Sequence, residues 1–365
     1  MEDHGSIQPG IPASPLSLSF PRATFAKLSP RPYLQAHLSP SDKAARSTRP
    51  SGRRPEETRP PTIQLGSLTH ANGSAVIRIG DTAVVCGIRA EILHTRDIPG
   101  FRQKKYDPEK QESHDEVREL GLLVPNIELA TGCSPQNLPG SPPSALAQSL
   151  SMRLLTLLYS SKTIDPDSLQ IWHRTPDSGK IDDDSSEEEV EETIEPTVKG
   201  FWTLYIDMLF ISFDGNAFDA AWASLMAALY STKLPRAQWN ADADSIICSP
   251  LYKTKPIQLL GFPISSTFAV FDSTAPTQTQ GTNRQEKKRW LLADPDMFEE
   301  GLCDELVTIV VDYQTYGGET PDSPKILRIE KRGGGVVGKV EIRDMLDHAG
   351  RRWLEWRSLL NWDDH

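Results

Sequence analysis

Apolar residues recur along this chain at two spacings, a period of two that predicts strands and a period near three and a half that predicts helices, with polar stretches between that show neither. The first 20 residues are Pro- and Ser-rich without periodicity, which predicts a disordered tail. Phe25, Leu28, Tyr33, Leu34 and Leu38 then fall at spacings that suit a short helix, and the prolines of RSTRPSGRRPEETRPP forbid regular structure after it. From Thr62 alternation begins. TIQLGSLTHANGSAVIRIGDTAVVCGIRAEI holds three runs divided by the turn signals Asn72-Gly73 and Gly80-Asp81, the pattern of an antiparallel meander. Residues 97–118 are charged and read as a solvated insertion. GLLVPNIELA returns to apolar character, and after SPQNLPGSPPS a helix is expected from about Ala145 to Ser160.

SLQIWHR and FWTLYIDMLFISF both read as strands, and the acidic run Asp182–Asp184 and Glu187–Glu192 between them reads as a disordered hairpin insertion. Asp-Gly-Asn then turns the chain into AFDAAWASLMAALYSTKLP, a helix ending before Pro235 with Ala220, Leu225, Met226 and Leu229 as its buried stripe. STFAVFD, RWLLAD, ELVTIVVDY and KILRIEKRG supply further strands, and a Gly-rich turn leads to a helix from about Lys339 to Leu360. Strands followed by helix, twice over, predict an α+β fold of two similar β-α halves. The expected organisation is a disordered tail over 1–20 and a single domain over 21–365, with loop insertions at about 97–118 and 176–198.

Composition narrows the function. A formal net charge of -11 argues against a free-standing nucleic-acid binder, so any RNA contact has to be local. Cys86, Cys133, Cys248 and Cys303 contain no C-x-x-C pair and read as buried, reduced thiols of an intracellular protein. No apolar run approaches the roughly 20 residues that span a bilayer, and no signal peptide is recognisable, so no membrane partner is expected.

Candidate chemistry is sparse. RGGGVVGK satisfies G-x-G-x-x-G with Gly333, Gly335 and Gly338 between a strand and a helix, but too little chain follows for the rest of a dinucleotide-binding unit. A turn feeding the last helix is the better reading. No G-x-S-x-G or H-E-x-x-H is present, and the eight histidines fall in unrelated contexts. DPDMFEEGLCDE could hold a hard cation through carboxylate oxygens, although a solvated loop explains it without metal, and neither metal nor cofactor is expected. The candidates for phosphate contact are Arg46, Arg49, Arg53, Arg54 and Arg59 in one segment, and Arg96, Arg102, Lys104 and Lys105 in another; the second set is the leading RNA-binding candidate.

In order along the chain, RPSGRRPEETRPPTIQLGSLTHANGSAVIRIGDTAVVCGIRAEI, VPNIEL, the Asp-Gly-Asn turn into an Ala-rich helix, the Phe-Ala-Val-Phe strand and DPDMFEE…TIVVD resemble the RNase PH family over roughly residues 25–360. Within it, FDAAWASLMAALYSTKLP and SSTFAVFD are most similar to the non-catalytic ring subunits of the eukaryotic RNA exosome, of the type called RRP forty-three. The resemblance implies an RNase PH-like domain in a hetero-hexameric ring with other RNase PH-like subunits, OB-fold and KH cap proteins, associated exoribonucleases and RNA in a central channel, in nucleus, nucleolus and cytoplasm. Active members of the family are phosphorolytic 3′-5′ exoribonucleases that need a phosphate grip and a carboxylate. In LPGSPPSALAQSLSMR, matched to the phosphate loop, the helix start lacks the cation, and Leu306 matches the position of the essential carboxylate, with Glu300 and Asp304 nearby. The implied role is a catalytically inactive structural subunit, and an active phosphorolytic exoribonuclease is the alternative.

Overall fold

The computed structural model describes residues 21–40, 46–101, 112–173, 197–241, 243–249, 253–273, 288–313 and 324–360. The expected tail at 1–20 and acidic insertion at 176–198 fall largely outside them. The chain forms two compact units, Met1–Arg54 and Pro55–His365. In the first, the apolar spacing that suggested one short helix forms two, α1 (Arg22–Leu28) and α2 (Pro30–Leu38), because Pro30 cannot continue α1 but suits the first turn of α2. Phe25 meets Tyr33 edge-on at 5.9 Å between ring centroids.

In the second unit, β1 (Pro61–Leu65), β2 (Gly73–Ile79) and β3 (Thr82–His94) form the expected antiparallel meander. A 3-10 turn at Thr95–Asp97 follows, then α3 (Glu112–Glu119). The end of the supposed solvated insertion is therefore a helix, because Val117 among its charges is buried in the core. After β4 (Leu123–Leu129) and α4 (Ala145–Ser161) come β5 (Gln170–His173) and the long β6 (Thr197–Ser212). The first sheet runs β1-β2-β3-β6-β4, with β4 parallel to β6 and β5 antiparallel at its end.

Helix α5 (Ala217–Ser231) is buried from Ala217 to Leu229, on every side and not along a stripe. It touches β2 and β3 of the first sheet and β11 (Ile264–Asp272) of the second, so small alanines on all faces let both sheets approach it. Between them lie β7 (Lys233–Pro235), β8 (Ala237–Asn240), β9 (Ser245–Cys248) and β10 (Thr254–Pro256), short strands in which no hydrophobic period announces a ribbon. The second sheet runs β12-β11-β13-β14, with β12 (Arg289–Ala293), α6 (Met297–Glu300), β13 (Glu305–Asp312) and β14 (Lys325–Arg332). Helix α7 (Lys339–Leu360) packs on β11 and β13. Trp222 of α5 and Trp353 of α7 donate their indole N–H groups to the carbonyls of Pro263 and Phe262, each at 2.7 Å. Of the four cysteines, all free, only Cys86 is buried, and burial raises its thiol pKa; Cys248 is exposed. Among the described residues no helix is long and apolar enough to cross a membrane.

Candidate functional site

A dense cluster of hydrogen-bonded polar side chains sits where α5 begins, between the two sheets. Gly215, at φ 76°, lies so close to the Asp296–Met297 backbone that a Cβ would collide with it, which is why the turn into α5 needs glycine. Asn216 follows in the left-handed region at φ 51°. Its side-chain amide donates to Asp219 Oδ2 at 2.9 Å and to Asp294 Oδ1 at 2.7 Å, and its backbone N–H donates to Glu300 Oε1 at 2.9 Å. Asp219 also accepts from the backbone and hydroxyl of Thr267 at 2.7 and 2.9 Å. Asp294, 4% exposed, receives the Nε and Nη2 of Arg59 at 2.8 and 2.7 Å and the Arg59 backbone N–H at 2.8 Å.

Burial disfavours both charges of this pair, yet the bidentate hydrogen bonds and mutual attraction outweigh it: Asp294 is held below the usual carboxylate range and Arg59 above its ordinary value. Asp219 and Glu300 have no such cation against them, and burial pushes both carboxyls up. A helix start normally attracts anions through its free N–H groups. At α5 the chain's own carboxylates already stand there, and Arg59 is bound to one of them.

The sequence-predicted positions fare unevenly. Arg59 is buried in an ion pair and does not offer itself to phosphate, and Arg49 is buried in the first unit; these correct the reading of that segment as a phosphate-contact strip. DPDMFEEGLCDE is likewise no solvated loop: Asp296 and Glu299 form a reciprocal cap of α6, and Asp294, Glu299 and Glu305 are buried. Among the described residues no three His, Cys, Asp or Glu side chains gather as a metal-binding group. The Gly333–Gly338 turn wraps a carboxylate of the protein, since Gly335 N–H and Lys331 Nζ both donate to Glu305 while Arg289 donates to Val336 O at 2.7 Å. Leu306, half-buried in β13, pairs with Arg332.

At the other helix start considered for phosphate, Ser144 caps α4 by accepting from Ala147 N–H at 3.2 Å. Arg153, two turns in, bonds Glu330 at 3.1 Å and stacks on Phe218. Arg96 is exposed, donates to Asp244 O at 3.4 Å and stands 4.0 Å from Asp97. Arg102, Lys104 and Lys105 lie outside the described residues. Beside the α5 cluster is a cavity of about 250 Å³ lined by Glu56, Asp219, Ser266, His348, Arg351 and Glu355, among others. Burial and the neighbouring Arg351 lower the His348 pKa, which disfavours the imidazolium form there. The Arg59–Asp294 pair joins residues 235 positions apart, and no local pattern in the sequence announces it.

Residues 57–235 match the family described as 3′ exoribonuclease family, domain 1, of RNase PH type. The chain is 34% identical over 332 residues to the exosome complex component rrp43 of Schizosaccharomyces pombe, covering 91% of this chain and 95% of that protein. It is 26% identical to the exosome complex component Rrp42 of Thermococcus gammatolerans, covering 85% and 88%. Among solved structures, the Archaeoglobus fulgidus exosome with RNA bound to the active site superposes with a TM-score of 0.55 at 21% identity, covering 90% of this chain and 96% of that one. An archaeal exosome core gives 0.54 at 19% identity, covering 95% and 100%. At those identities the structures establish the fold.

Proposed function

The chain belongs to the RNase PH family of 3′ exoribonucleases, and on that premise we propose that it is a catalytically inactive ring subunit of an RNA exosome. Its partners are other RNase PH-like subunits, and its role is to complete the ring that threads RNA towards processing or degradation. The observation that carries the ring assignment is the near full-length match to a eukaryotic exosome component.

Inactivity is supported by electrostatics at the two helix starts. Phosphorolysis brings inorganic phosphate against the 3′-terminal phosphodiester and releases a nucleoside diphosphate, so two anions must be held together by cations or N–H donors. At α5 those donors face Glu300, Asp219 and Asp294, and the nearest guanidinium is bound in an ion pair. At α4 the first two turns carry no cation ahead of Arg153, which is bonded to Glu330. Incubated with phosphate, Mg²⁺ and single-stranded RNA, the purified chain releases no nucleoside diphosphate. Release that survives further purification and disappears on replacing Glu300 or Asp304 would refute inactivity.

RNA contact through Arg96, Arg102, Lys104 and Lys105 belongs to the same reading. Their joint replacement by Ala weakens RNA binding of the reconstituted ring and flattens its salt dependence without changing sequence preference. Unchanged affinity and slope would reject that segment. The same reading expects the protein in nucleus, nucleolus and cytoplasm.

A further inference from the structure

The cavity beside the start of α5 is lined by two side chains whose oxygens the fold leaves without a partner. Both N–H donors of the Asn216 amide are spent on carboxylates, one on Asp219 and one on Asp294, and this fixes which way the amide lies. Its Oδ1 therefore faces away from them, and among the described residues it meets no donor. Ser266 Oγ, from β11, is in the same state. The two residues are 4% and 7% exposed, and both line the cavity of about 250 Å³. A buried oxygen that has given up water and gained no donor is destabilising, so two on one cavity call for a ligand that brings N–H or O–H groups.

The charge of the cavity narrows the ligand's class. Asp294 is neutralised by Arg59, and Glu355 by Arg352 at 2.7 Å. Of the other described residues lining it, Glu56, Glu57 and Asp219 are acidic and Arg351 is basic. Burial pushes the Asp219 carboxyl up for want of a cation. A phosphate would meet these acids, and water would bring donors without charge. A metal ion is the poorer fit, because hard cations draw oxygens in to about 2.0–2.6 Å, and among the described residues no three acidic or His side chains gather closely enough. Part of the wall is apolar: Phe268 and Ala293 are buried and stand opposite one another across β11 and β12.

We propose that this cavity is a binding site for a primary alkylammonium group, held by Asn216 Oδ1, Ser266 Oγ and the adjoining carboxylates, with its methylene stem against Phe268 and Ala293. An ammonium carries three N–H donors and no acceptor, which suits a wall that offers oxygens and negative charge. The same chemistry comes from two sources, a free polyamine or a lysine side chain of another protein. The site does not depend on the ring-subunit reading.

The test titrates the full-length chain with cadaverine at low salt, by calorimetry and by thermal shift, beside Ser266→Ala and Glu56→Gln. Cadaverine binds the wild type and raises its Tm. Ser266→Ala removes an oxygen that has no partner, so the free variant melts no lower than wild type, yet it binds cadaverine about 10- to 100-fold more weakly, the loss of one hydrogen bond to a charged donor. Glu56 is exposed, and Glu56→Gln weakens binding by roughly two- to fivefold, a difference that salt removes. Pentanol, with the same stem and no charge, does not compete.

Absence of saturable binding overturns the proposal. Equal binding by wild type and Ser266→Ala also overturns it, because the amine is then a counterion of surface carboxylates. So does a free Ser266→Ala chain that melts below wild type, which would give Oγ a partner, and so does displacement of cadaverine by an equal concentration of Mg²⁺, which would make this a hard-cation site. Repeating the titration on the assembled ring separates the sources. Binding retained there assigns the site to free polyamines; binding lost, with a carbodiimide crosslink from Glu56 to a neighbouring subunit, assigns it to a lysine. Loss without that crosslink overturns the site in the ring. A chain that joins no ring refutes the function proposed above and leaves the result on the isolated chain standing.

Discussion

Replacing Arg59 with Met removes two of the donors that hold the Asp294 carboxylate, Nε and Nη2, while the backbone N–H of residue 59 and the Asn216 amide stay in place. Asp294 stays buried. Hydrogen bonds to a charged group contribute about 1.5–3 kcal/mol each, and removing one partner of a buried pair costs about 3–5 kcal/mol because the survivor is left uncompensated. The expected loss is therefore about 3–5 kcal/mol, a large share of the roughly 5–15 kcal/mol that holds a typical protein folded. For a chain of this size that lowers Tm by roughly 6–10 °C.

The pH dependence has a definite sign. The folded-state pKa of Asp294 is depressed, so the pair's contribution is fully present above the ordinary carboxyl value, about 3.9, and is lost as pH falls through the lower folded value. The gap between wild type and Arg59→Met is widest near neutrality and narrows in acid. Adding Asp294→Leu to Arg59→Met recovers most of the loss, since replacing a whole buried pair by apolar groups is often nearly neutral. Denaturant unfolding of the three proteins at neutral and acidic pH checks this. A single variant within about 0.5 kcal/mol of wild type, the range of ordinary surface substitutions, or a double variant no more stable than the single, would show that the pair does not hold the two halves together.

Gly333→Ala places a Cβ against Asp304 O at φ 113°, and the strain of such a backbone lowers stability by about 1–3 kcal/mol in thermal melts; an unaltered Tm would mean that the Gly-rich turn relaxes freely. Deleting Asp182–Glu195 leaves entry into the ring intact on co-purification, because a stretch of that charge density without apolar periodicity has nothing to contribute to a core; failure to co-purify would assign the segment an architectural role.

Where one face of an element meets the core, the chain announces it: β2, β3 and α4 stand where alternation and helical spacing predict them. Helix α5 was legible as a helix but not in its burial, because a stripe read from one chain cannot show that a second sheet covers the other side. The ribbon from β7 to β10 was invisible for the opposite reason, since strands of three or four residues are too short to display a period. At the candidate site, glycine and asparagine at the turn into α5 could be read locally. The partners that decide its chemistry, Arg59, Asp294 and Glu300, arrive from distant segments of the chain, and their meeting is a property of the closed fold.

Helix α5 also bears on how the second unit can be cut or joined. One helix serves as the floor of the first sheet and the ceiling of the second, so neither half owns a complete core. A gene divided between β10 and β11 would give a first fragment with one bare side of α5 and a second fragment missing the surface on which β11 rests. Each would expose apolar area that the other was shaped to cover, and they should be soluble only when produced together. The two β-α halves repeat as architecture, but with one helix as their shared core they are expected to unfold together.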